Sequence, residues 1–210
     1  MCRLECIGAI AFLSTRVTKS TEQDMQKLHH LIRYLHQSHV SGHRGFRITP
    51  GDAPLQAVVY CDASYGINHD GKSQSGVVVG IGGLGFIDQY SGKQSITAKS
   101  SSEAELLCTS NETNRGIRTK NFLQGQGYPP LPVDLNQDNM STISMIIKGK
   151  PTSIKTKHIS IRNFWLKEQQ DLGNVTIKYV PTELMGAANI LTKPVVGKQF
   201  IEERRMLCNW

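Results

Sequence analysis

Over residues 20–38 the apolar positions recur at helical spacing. Met25, Leu28, Leu31, Ile32 and Leu35 share one stripe behind a Ser20 and Gln23 capping box, which predicts an amphipathic helix. SGHRGF (41–46) and TPGDAP (49–54) then punctuate the chain with glycine and proline, placing a boundary near residue 53 between a helical segment (1–53) and a second unit (54–210). Beyond it the period changes. LQAVVYCD (55–62) is an apolar, β-branched run with an acidic end, and SQSGVVVGIGG (73–83) and LGFIDQYSG (84–92) read as two further strands joined by glycine turns. QSITAKS (94–100) reads as a strand end, and helix formers around Glu103 to Leu107 predict a helix over 102–123. VDLNQD (133–138) is a short strand, MSTISMII (140–147) a short helix, 156–171 a basic helix and NVTIKYV (174–180) a fifth strand. A last helix starts near residue 184 and is broken at Pro194. Three strands, helix, strand, two helices, strand, helix is the order of an α/β fold with a mixed five-stranded sheet flanked by helices.

Length and composition narrow this reading. With 210 residues, 39% hydrophobic and 20% charged, the chain suits one ordinary domain carrying a helical appendage. The longest apolar run, Cys6 to Leu13, is far short of the ~20 residues a bilayer span needs. Glu5 directly before that run makes it a poor signal peptide, so an intracellular protein with no membrane partner is expected. The five cysteines are scattered with no CxxC pair, against both a disulfide framework and a zinc site, and Cys61 and Cys108 read as core residues. The net charge is +7, and the excess lies at the ends. Residues 1–60 carry 7 basic and 4 acidic groups, 61–150 carry 8 of each, and 151–210 carry 9 and 5. A basic periphery around a carboxylate-bearing middle suits a phosphate-binding enzyme as well as it suits a plain solvated surface.

Three acids are informatively placed: Asp62 at the end of the first strand, Glu105 in the first turn of the first core helix, and Asp138 at the end of the fourth strand. Strand ends and helix starts converge at one sheet edge, where α/β folds build sites. Gathered there, three carboxylates repel unless a cation neutralises them, and hard oxygen ligation points to Mg²⁺ or Mn²⁺. A pair of such ions ~4 Å apart activates a water and clamps a phosphodiester. Each acid taken singly is equally well read as a turn or capping residue.

The segments CDASYG (61–66), KSQSGVVVGIGG (72–83), SSSEAELL (100–107), DLNQDNMSTI (134–143), TKHISIRNFWLKE (156–168) and IKYVPTELMGAANILTKP (177–194) together resemble the ribonuclease H region of copia-type LTR retrotransposon polyproteins. The helical start, residues 7–35, resembles the connection that joins a reverse transcriptase to that region. The resemblance implies hydrolysis of the RNA strand of RNA–DNA hybrids during reverse transcription, in the cytoplasm or in virus-like particles. It also implies two divalent metal ions held by four acids in the order Asp, Glu, Asp, Asp. Asp62 matches the first, Glu105 the second, with Glu103 about half a turn away, and Asp138 the third. At the fourth, where the family reads ADILTKP, this chain has Asn189, which keeps a carbonyl oxygen but loses the charge. Impaired activity is therefore expected, and a silent hybrid-binding or scaffolding module, or a domesticated remnant, is the alternative. Integrases on a related scaffold place the Glu last, whereas here it is second.

A hybrid is read through its shape and 2′-hydroxyls. Candidate contacts are Ser64, Ser101, Ser102 and Asn139 beside the acids, with N-capping as the competing role of the serines at 100–102. Lys155, Lys157, His158 and Arg162 offer a phosphate grip or, equally, a solvated helix face. Trp165 and Phe164 are expected in the core. Glu183 stands near the place of a loop histidine in other ribonucleases H, with helix-entry capping beside Thr182 as the simpler role. Sugar hydrolysis is disfavoured, because aromatics make up only 7% of the chain.

Overall fold

The structure, a computed structural model, describes residues 3–43, 45–49, 51–52, 54–149 and 160–209. Strands β1 (Ala57–Ser64), β2 (Gln74–Ile81), β3 (Gly85–Lys93), β4 (Val133–Gln137) and β5 (Val175–Tyr179) form one sheet in the order β3-β2-β1-β4-β5. The first three strands are a glycine-turned antiparallel meander, and β4 and β5 run parallel to β1, so the sheet is mixed as its pattern of strands and helices predicts. Residues 94–100 add no strand. There Gln94 turns inward, and its amide donates to Ser75 Oγ and to the Ala104 carbonyl.

Helices cover both faces of the sheet. On one face α3 (Ser101–Gly125), α4 (Met140–Lys148) and α5 (Ser160–Asp171) enclose a core of Val59, Cys61, Val77, Val79, Leu106, Leu107, Cys108, Leu135, Ile146 and Leu166. On the other, Val78 meets Met185, Ala188, Leu191 and Leu207 from the short α6 (Gly186–Asn189), the turn after it and α7 (Gly197–Cys208). Leu4, from the 3-10 turn before α1 (Ile7–Ser14), joins that second cluster. The alternation of Val77, Val78 and Val79 between the two cores is why β2 reads as a continuous apolar run. Two glycines allow close approach. A Cβ on Gly116 of α3 would lie 2.5 Å from Val59 Cγ2 and 2.7 Å from Val133 Cγ1, so only glycine lets α3 settle onto β1 and β4. A Cβ on Gly76 of β2 would lie 2.5 Å from Thr192 Cγ2 and 3.0 Å from the Ala188 carbonyl, and Gly76 is the register partner of Asp62.

Helix α2 (Glu22–Val40) corrects the expected capping. The box is Thr21 with Asp24, one residue beyond Ser20 and Gln23, because the Thr21 backbone N–H and hydroxyl both donate to Asp24 while the Asp24 N–H returns a bond. Its apolar stripe is only partly covered: Met25, Leu28 and Ile32 stand 42%, 36% and 53% exposed, while Leu31 and Leu35 are half-buried. Phe164 is likewise on the outside of α5, while Trp165 packs against the core. Cys6, Cys61, Cys108 and Cys208 are buried and free.

Candidate active site

Local folding delivers the three acids to one place. Asp62 lies two residues short of the end of β1, on the pleat face of Tyr60, which α6 covers. Glu105 is one residue into the second turn of α3 rather than in its first, since the helix starts at Ser101. Asp138 is the first residue past β4, and the next, Asn139, caps α4 by accepting the Thr142 N–H at 3.1 Å. One carboxylate oxygen from each of Asp62, Glu105 and Asp138 lies within 4.8 Å of the others. Asp62 and Glu105 are buried and Asp138 is half-buried, so the cup opens on the Asp138 side.

Each carboxylate is held by a different element. Glu105 accepts the Ala63 N–H through Oε1 at 3.1 Å and the Gln137 amide through Oε2 at 3.2 Å. Asp62 Oδ2 accepts the Thr192 hydroxyl, and the Lys193 ammonium stands 3.4 Å from Asp62 Oδ1. Asp138 Oδ2 accepts the Thr182 hydroxyl at 2.8 Å. Burial pushes the Asp62 carboxyl above its usual range, opposed by Lys193 and Thr192. Burial, and next the charge of Asp62, push Glu105 well above its own. Burial is thus the main cause of both shifts, and repulsion among the crowded acids adds to it.

Asn189 sits at the end of α6, 6% exposed. Its amide nitrogen donates to the Thr182 carbonyl at 3.3 Å, and its Oδ1 is buried without a hydrogen-bond partner among the described residues. Its Thr192 neighbour links it to the cup, since the hydroxyl that reaches Asp62 is also within 3.1 Å of the Asn189 carbonyl. The three convergent carboxylates are an oxygen-only donor set, which fits a hard divalent cation, and Asn189 Oδ1 is a further buried oxygen without a partner among the described residues.

The remaining sequence candidates fall in varied surroundings. Ser100 takes the capping role on α3 by accepting the Glu103 N–H at 3.2 Å, and Glu103 turns back to accept the Lys99 N–H at 2.8 Å, away from the acids. Ser101 is exposed; Ser102 is half-buried, and its carbonyl accepts the Thr142 hydroxyl. The Ser64 hydroxyl is buried without a partner. Arg162 is half-buried on α5, and Lys155, Lys157 and His158 lie outside the described residues. Thr182 does not cap the 3-10 turn Thr182–Leu184 with Glu183; it turns its hydroxyl to Asp138, and Glu183 is exposed. The motif reading passed over Gln137, Thr182, Thr192 and Lys193 as functional residues. Only their positions next to or within the acid-bearing segments could have raised them.

Comparison with known proteins follows the same line. The chain is 24% identical over 198 residues, 94% of its length, to the Transposon Ty1-ER2 and Ty1-MR2 Gag-Pol polyproteins of Saccharomyces cerevisiae. It spans about a tenth of the length of these curated relatives, 11%. No family model matches it. Among solved structures, ribonuclease H1 from the halophilic archaeon Halobacterium salinarum is 15% identical, with a TM-score of 0.44 over 65% of this chain and 94% of that one. LC11 ribonuclease H1 in complex with an RNA/DNA hybrid is 16% identical, with a TM-score of 0.46 over 65% of this chain and 94% of that one. The similarity to the copia-type Ty1 polyproteins thus runs through nearly the whole chain, as the motif resemblance does. Among the described residues no helix is long and apolar enough to cross a membrane.

Proposed function

We propose that the chain is the ribonuclease H region of a copia-type retrotransposon polyprotein and hydrolyses the RNA strand of RNA–DNA hybrids. The observation that carries this is the convergence of Asp62, Glu105 and Asp138 within 4.8 Å, in the order Asp, Glu, Asp, in a chain similar throughout to Ty1 Gag-Pol. In this reading Asp62, Glu105 and Asp138 would hold the divalent ions, Asp62 and Glu105 from the buried side and Asp138 from the open side of the cup. Asn189 completes the donor set with its unpaired Oδ1. The two divalent ions supply a more acidic water and stabilisation of the leaving oxygen. Ser101, Ser102, Asn139 and Arg162, with Lys157, are the residues assigned to the sugar and phosphate backbone of the hybrid, whereas the hydroxyl of Ser64, the other sequence candidate, is buried out of its reach. Residues 1–53 act as the connection to a reverse transcriptase domain of the same polyprotein, and the setting is a cytoplasmic virus-like particle.

Asn189 favours a second reading, an impaired or silent module, because a neutral ligand holds the second ion less firmly than a carboxylate does. Hydrolysis of a labelled hybrid in Mg²⁺ and in Mn²⁺, with Asp62→Asn as control, separates the two. Cleavage that Asp62→Asn abolishes supports the nuclease. Hybrid binding without cleavage in either metal supports the silent module. Asn189→Asp is expected to raise cleavage about tenfold at limiting metal, and no gain at any metal concentration refutes Asn189 as the weak fourth ligand.

A further inference from the structure

Gln137 is out of place by the logic of its own strand. Val133, Leu135 and Gln137 alternate along β4 on the face that meets α3, and all three are 0% exposed. The third position of such a row is ordinarily apolar, since burying an amide costs unless its bonds are made. Here they are made, and every one leads to the site. The Gln137 Nε2 donates to Glu105 Oε2 at 3.2 Å and to Thr109 Oγ1 at 3.1 Å, one turn along α3. Its Oε1 accepts the N–H of Asp138 at 2.9 Å and of Asn139 at 3.0 Å. One side chain therefore fixes the rotamer of one acid and the backbone that carries the next.

We propose that Gln137 is a positioning residue that sets the separation of Glu105 and Asp138 for the metal ions; this rests on the nuclease reading above. Glu105 and Asp138 come from different elements, and Gln137 is the group that hydrogen-bonds to the Glu105 carboxylate and to the backbone of Asp138 at once. Its amide is neutral, so it orders both acids without competing as a cation for the ions' place. Its donated bond leaves one lone pair of Glu105 Oε2 directed elsewhere, as supporting partners of metal ligands do.

The test uses the whole chain and reads Mn²⁺ binding by calorimetry beside hybrid cleavage. Gln137→Met keeps length and loses both bonding functions. It is expected to weaken Mn²⁺ binding about tenfold, in the range that supporting residues of metal ligands cost. Cleavage should fall at limiting Mn²⁺ and recover at saturating Mn²⁺, with KM for the hybrid unchanged. Gln137→Thr, a strand-favouring residue too short to reach Glu105, is expected to do the same and serves if the methionine variant does not fold. A folded variant of either kind with a lowered melting temperature but wild-type Mn²⁺ affinity overturns the inference and leaves the nuclease reading standing. Failure of the wild-type chain itself to bind Mn²⁺ overturns both.

Discussion

Glu105 and Asp138 share one cup but are held in opposite ways. Glu105 is buried and accepts a backbone N–H from β1 and a side-chain amide from β4, both from the sheet. Asp138 is half-buried, and its carboxylate is held by the hydroxyl of an exposed threonine on a 3-10 turn. The inner wall is built from packed elements and cannot move without disturbing the core. The outer wall hangs on a segment whose Pro181, Thr182, Glu183 and Leu184 are all exposed. The difference teaches that a fixed carboxylate and an adjustable one coexist in a single cup, and that their substitutions should fail in different ways.

The largest break is expected from Asp62→Asn, which removes the charge of the acid gripped by Thr192 and Lys193. Hybrid cleavage should drop by more than about a hundredfold, beyond what loss of a supporting residue costs. The fold should persist, since a neutral side chain relieves the burial that already pushes this carboxyl upward; circular dichroism and a melting curve check this. Gly76→Ala comes next. Its Cβ would meet Thr192 at 2.5 Å, so the Thr192 and Lys193 contacts to Asp62 should be displaced, at an overpacking cost of about 1–3 kcal/mol in denaturant unfolding. The inner wall should also set a pH signature. The folded-state pKa of Glu105 lies well above its unfolded value, so its protonated form favours the fold. In EDTA this contribution is fully present below the ordinary carboxylate range and is lost as pH rises through the elevated folded pKa. Saturating Mg²⁺ should act in the opposite sense, adding stability at neutral pH that disappears on acidification. Melting temperatures across pH with and without metal measure both. Smallest is Thr182→Val on the outer wall, which deletes one exposed hydrogen bond worth about 0.5–1 kcal/mol and should cost about twofold to fivefold in Mn²⁺ affinity, with the melting temperature lowered by no more than about 2–4 °C.

Much of this molecule is legible in the sequence, for reasons that differ by element. The five strands announce themselves through β-branched runs and glycine turns. The three acids are legible only together: each taken singly reads as a turn or capping residue, and it is their places at two strand ends and a helix start, in the order Asp, Glu, Asp, that mark them. Burial is less legible than helicity. The stripe of α2 is the clearer amphipathic pattern and lies only partly covered, whereas α3, with Glu103, Thr109, Ser110 and Thr113 all buried, has a mixed pattern and is the central helix of the core. Its polar residues are buried because the sheet and its own backbone satisfy them: Thr109 and Thr113 each donate to a carbonyl one turn back. Gln137, Thr182 and Thr192 escaped notice because their importance lies in partners 32, 44 and 130 residues away, which no local period encodes.

That last separation bears on when the protein can work. At about 5–20 residues per second a ribosome takes roughly 6–26 s to travel the 130 residues from Asp62 to the threonine that grips it. Over the last part of that stretch all three carboxylates are made while Thr192 and Lys193 are not, and Val78 lacks its cover from Leu191 and Leu207. The segment from Thr182 to Leu207 thus completes the surroundings of Asp62 only after every strand of the sheet has been made.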